Sequence, residues 1–106
     1  MGRKCRLCVD YAIGLVKELK EAEKVALRGR VHESNKCIES AQEMITTLVE
    51  SGCLTKSVAS PITDDMSEAH SEMDGKKKAG MLWGIVGNIH YDLATDVADF
   101  CQSEGR

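Results

Sequence analysis

The sequence predicts an all-α chain folded as an antiparallel up-down-up-down four-helix bundle, and three observations carry that prediction. Apolar residues recur in steps of three and four along most of the chain, glycines punctuate it at Gly29 and Gly52, and no β-branched run alternates with period two. A chain of 106 residues can bury one core but not two independent ones, so residues 1–106 are expected to form a single helical domain. Hydrophobic residues at 42% and charged residues at 29% suit a folded chain rather than a disordered one. Trp83, Tyr11, Tyr91 and Phe100 are the only aromatics, which leaves the core to aliphatic and sulfur-bearing side chains.

The first helix is set by Cys5, Cys8, Ala12, Leu15, Leu19, Ala22 and Ala26, with Val9, Ile13, Val16 and Leu27 widening that seam into a core-facing stripe. Lys17, Lys20, Glu21 and Lys24 take the other side, and Gly29 is the expected stop. The second helix follows within a few residues and turns Ile38, Ala41, Met44, Ile45, Leu48 and Val49 inward. It ends at Gly52. So short a connection favours an antiparallel pair.

Residues 53–63 mix Ser, Thr and the single proline, and read as the longest loop. Ser60 or Thr63 is the expected cap of the third helix, with Pro61 in its first turn and Ile62, Met66, Ala69 and Met73 inward. Residues 74–80, with Asp74-Gly75, three lysines and Ala79-Gly80, read as a turn. The competing reading makes the third and fourth helices one kinked helix running to Phe100, which would favour an intertwined dimer. The fourth helix carries Leu82, Val86, Ile89, Leu93, Val97 and Phe100 on one seam. Trp83, Gly87, His90, Ala94 and Cys101 lie on the neighbouring one. Its glycines, Gly80, Gly84 and Gly87, are expected to serve close helix packing or to mark fraying near the turn rather than a ligand site, and His90 to be a core histidine.

Several function classes are disfavoured. A net charge of −3 argues against a nucleic-acid partner, and the clusters Arg3-Lys4-Arg6 and Lys76-Lys77-Lys78 read as solvated ends or turns. No stretch approaches the ~20 apolar residues of a membrane helix, and charged residues interrupt the N-terminal region where a signal peptide would run. A cytoplasmic protein with no membrane partner is the expectation, and five cysteines in such a chain are expected to stay reduced.

Their positions matter more than their number. At ~1.5 Å rise per residue, Cys5, Cys8, Cys53 and Cys101 all fall about 31–36 Å from the turns that join their helices, at one end of the bundle. Cys5 and Cys8 form a C-x-x-C pair on the core face, and two more thiolates arriving from other helices would complete a tetrahedral zinc site. Plain packing competes, because a free cysteine is a small hydrophobe. Cys37 lies at the other end.

Catalytic motifs fail on inspection. His32-Glu33-Ser34-Asn35-Lys36 has Lys36 where a zinc protease needs its second histidine, and residues 75–80 lack the lysine of a phosphate loop. The expected function is therefore a non-enzymatic helical adaptor or small regulator with no cofactor. It would bind a protein partner, or a second copy of itself as a homodimer, through a helical groove. The alternative is a zinc-binding or thiol-redox sensor built on Cys5, Cys8, Cys53 and Cys101.

Overall fold

The computed structural model describes residues 2–104. Four helices, α1 (Arg3–Leu27), α2 (Val31–Glu50), α3 (Lys56–Ser71) and α4 (Gly75–Glu104), run up, down, up and down. Each packs on its neighbours in sequence and α4 closes onto α1, giving a body of 47 × 21 × 19 Å. Among the described residues there is no strand.

α1 buries Cys5, Cys8, Leu15, Leu19, Ala22, Val25 and Ala26, the spacing of one helix face. It stops at Gly29, whose φ of 79° a side chain would strain. Gly29 N–H donates to Ala26 at 2.9 Å and Arg30 N–H to Val25 at 3.0 Å, the paired bonds of a glycine C-cap. The same device ends α2. Gly52 has φ 81°, its N–H donates to Val49 at 3.0 Å, and Cys53 N–H donates to Leu48 at 2.9 Å. This cap turns Cys53 and Leu54 back into the core.

α3 begins earlier than the sequence predicts. Thr55 is its cap, with Oγ1 accepting from Val58 N–H at 3.4 Å, and Asp96 of α4 accepts from both the N–H and the hydroxyl of Thr55 at 3.0 Å. The expected loop over residues 53–63 thus shrinks to residues 51–55. Pro61 sits inside the helix rather than in its first turn. It and Ser57, whose carbonyl loses its helix partner, are both exposed, so water can serve that carbonyl.

The turn expected over residues 74–80 also moves. Residues 72–74 make the connection, and 75–80 are helical. Asp74 caps α4, its Oδ1 accepting from Lys77 N–H at 3.1 Å, and that bond holds the Asp74 carboxyl below its usual pKa of 3.8. α3 and α4 are separate antiparallel helices packed on each other, not one kinked helix.

Leu15, Leu19, Ile38, Leu48, Met66, Leu82 and Ile89 are the large aliphatic residues sealed in the core. Two polar residues join them. Ser34 donates its hydroxyl to Ala22 O at 2.8 Å. Lys78, read from sequence as a solvated turn residue, is fully buried. Its ammonium donates to Ala69 O, to His70 O at 3.1 Å and to Asn35 Oδ1 at 2.7 Å. A lysine of α4 therefore satisfies the last carbonyls of α3, at the negative end of that helix dipole.

Candidate functional site

Two features stand out, one along the seam between α1 and α4 and one at an end of the bundle. The first is an apolar groove. At one end it is lined by Val9, Ile13, Val16, Ala94, Val97 and Ala98, with a volume of about 620 Å³. At the other, Leu27, Trp83, Val86 and Gly87 line a further cleft of about 650 Å³. Lys20 borders both, so the two join into one trough. From Cys5 to Leu27 it runs ~33 Å along α1 at 1.5 Å per residue.

Three of the α4 residues beside the trough are small. Gly87, Ala94 and Ala98 leave the outer flank of α1 uncovered, and a Cβ added at Gly80, Gly84 or Gly87 would meet nothing within 4 Å. These glycines therefore do not serve close helix packing, as the sequence suggested. Ile13 and Leu27, expected to face the core, are more than half exposed, and Trp83 is 71% exposed. His90 is exposed on the groove wall rather than buried. Lys17, Lys20, Lys24 and Arg28 line the α1 rim, with Glu23 among them.

The second feature is the cysteine cluster. The structure gathers Cys5, Cys8, Cys53 and Cys101 at one end of the bundle, the level at which helix lengths place them. They are bonded in two pairs, Cys5 to Cys101 and Cys8 to Cys53, with Cα separations of 5.0 and 5.8 Å. The expectation of reduced thiols did not include this pairing. Facing cysteines whose Cα atoms lie this close are within bridging distance, and the inference from a missing export signal took no account of geometry. Among the described residues, no group of three or more His, Cys, Asp or Glu side chains is placed to hold a metal ion. Four-thiolate zinc ligation would require both bonds to be reduced first.

Glu104 completes this end. Gly2, the residue before α1, offers no side-chain cap, and the Glu104 carboxylate accepts instead from Lys4 N–H at 3.2 Å and Cys5 N–H at 2.7 Å. The C-terminal turn of α4 thus caps the N-terminus of α1 beside the disulfide that joins them. Phe100 packs near Gly52, which brings the 51–55 connection to the same place.

Cys37 is the free cysteine, half-buried on α2. Burial raises its pKa above 9.0, and the nearby carboxylates of Glu18, Glu21 and Glu33 raise it further, so the thiol stays protonated and unreactive. His32 is exposed, and His70 pairs with Glu39 at 3.6 Å on the surface. Neither approaches the cysteines in a way that would form a shared site.

Sequence reasoning found the cysteine level but missed the groove walls, because a helical seam reads the same whether or not a neighbour covers it. The signal that was available lay in the small residues Gly87, Ala94 and Ala98, which fall on one side of α4 and line the groove. Compared with protein-family models, with curated proteins and with solved structures, the chain matches none of them.

Proposed function

We propose that this protein is a helical interaction module that takes one amphipathic helix of a protein partner into the α1–α4 groove. The observation that supports this reading is the alignment of two adjoining clefts along α1, with Ile13, Leu27 and Trp83 exposed in them and a cationic rim beside them. Such a trough matches a helix of about 20 residues with apolar anchors at i, i+3, i+4 and i+7. Lys17, Lys20, Lys24 and Arg28 along one rim select for acidic residues on the edge that meets α1. No helix among the described residues is long and apolar enough to cross a membrane.

Trp83 is the only tryptophan and reports directly on the groove. A 20-residue amphipathic Leu/Glu peptide should shift its fluorescence, more weakly as salt rises, and a Leu/Lys peptide of the same pattern should not. Ile13→Asp should abolish the shift without loss of helicity. Equal response to both peptides, or none to either, would rule the reading out. A spectral shift that tracks protein concentration without peptide, with a light-scattering mass of two chains, would assign the groove to a second copy.

A second reading, as a zinc-binding or thiol-redox protein, is supported by the convergence of Cys5, Cys8, Cys53 and Cys101. A cytoplasmic address goes with it, since there the two bonds would be reversible rather than permanent. Native mass spectrometry of the reduced protein, with and without a chelator, tests the zinc half: a chain that retains no metal loses it.

A further inference from the structure

The two disulfides differ in what can reach them. Cys8 and Cys53 are 1% and 2% exposed and belong to the core, packed with Leu48 and Leu54. Cys5 is 3% exposed. Its partner Cys101 is only half-buried, and the pair lines the end of the groove between α1 and α4. A thiolate opens a disulfide by approaching one sulfur with the other as leaving group, so the reachable sulfur decides which bond breaks.

The surroundings also select the thiol. Arg3, Lys4 and Arg6 stand in the same turn of α1 as Cys5, all exposed, and among the described residues none of them is in an ion pair. Glu104 already occupies the Lys4 and Cys5 N–H groups, so the helix terminus itself is taken and attraction for an anion falls to those three side chains. The adjoining groove, about 620 Å³, leaves room for a ligand the size of a tripeptide.

We propose that Cys101 is a thiolation site, where an anionic low-molecular-weight thiol of the glutathione class is taken up covalently while Cys8–Cys53 stays closed and holds the fold. The thiolate sulfur bonds to Cys101 Sγ, the Cys5–Cys101 bond breaks, and its electron pair leaves on Cys5. Cys5 then takes the proton the incoming thiol gave up. One thiol and one disulfide become one mixed disulfide and one thiol, with no further oxidant or reductant. The reverse step, attack by Cys5 on Cys101, expels the ligand and restores the bond. This inference deepens the thiol half of the second reading and does not depend on a helix occupying the groove.

The test incubates the oxidised full chain with reduced glutathione, quenches in acid, alkylates, and maps peptides by mass spectrometry without reduction. A single adduct on Cys101 is expected, with Cys5 newly alkylated, helicity retained, and opening at least about tenfold faster than at Cys8–Cys53. In the Arg3→Ser/Arg6→Ser variant the reaction with glutathione should slow, while that with uncharged 2-mercaptoethanol should not. An adduct on Cys5, earlier opening of Cys8–Cys53, or equal slowing of both thiols would overturn the proposal. So would the absence of any adduct under conditions where dithiothreitol opens both pairs, an outcome that leaves the broader thiol-redox reading standing. Failure to retain zinc touches neither result.

Discussion

Lys78 shows what one side chain does in this bundle. Burial lowers its pKa below the usual 10.5, against the opposing pull of the Glu72 carboxylate, yet three acceptors hold its ammonium in place. Lys78→Met keeps the buried stem and leaves the Ala69 and His70 carbonyls without that donor, a loss of about 1–3 kcal/mol measurable by urea denaturation. The pH dependence has a definite sign. The unfolded chain keeps the lysine proton to higher pH than the folded one, so the charged form lowers stability below the folded pKa, and that cost fades as pH rises towards 10.5. The advantage of the wild type over Lys78→Met should therefore grow from neutral to alkaline pH. A gap that stays constant or narrows would contradict this account. Nothing in the local sequence separates Lys78 from Lys76 and Lys77; only the placement of α3 against α4 does.

At the scale of elements, the glycine caps of α1 and α2 were legible because each needs a backbone conformation that few other residues adopt. The start of α3 was not. Pro61 carries a strong local preference for a first turn, and tertiary contacts overrode it through Thr55, whose capping role is fixed by Asp96 forty-one residues away. The start of α4 was misread for a related reason, since Asp74-Gly75 signals a turn and a helix cap equally well. Gly75 has a separate purpose there. A Cβ on it would fall onto the carbonyl oxygen of Ala26, a backbone atom that cannot swing aside. Gly75→Ala should thus cost about 1–3 kcal/mol, whereas Gly84→Ala and Gly87→Ala, with open space around them, should each gain about 1 kcal/mol of helix propensity. Thermal melts of the three variants would separate the two kinds of glycine. Equal effects at all three sites would mean that the α1–α4 contact at Gly75 is looser than described.

For the whole molecule, counting rise per residue from the turns was enough to place four cysteines at one end, because helix length is nearly fixed by residue number. Which cysteines pair, and that they pair at all, depends on lateral packing that no count along one helix contains. Cys8–Cys53 closes a loop across a sequence separation of 45. Its removal in Cys8→Ala/Cys53→Ala should lower stability by about 4 kcal/mol on the chain-entropy estimate, read as a lower urea midpoint. An unchanged midpoint would show that the bond adds nothing to a helix end already fixed by its cap.

Cys5–Cys101 has a mechanical consequence as well. It spans a sequence separation of 96, from the first turn of α1 to the last turns of α4. Tension applied to the two ends of the chain passes through that covalent link and bypasses the helices between, so the bundle cannot lengthen however hard it is drawn. Once the link is cut while Cys8–Cys53 stays closed, the load crosses that second bond, falls on the packing of α3 and α4 alone, and the stretch from Cys53 to Cys101 becomes extensible. The single bond at the groove's end thus sets whether this protein behaves under force as a rivet or as a spring.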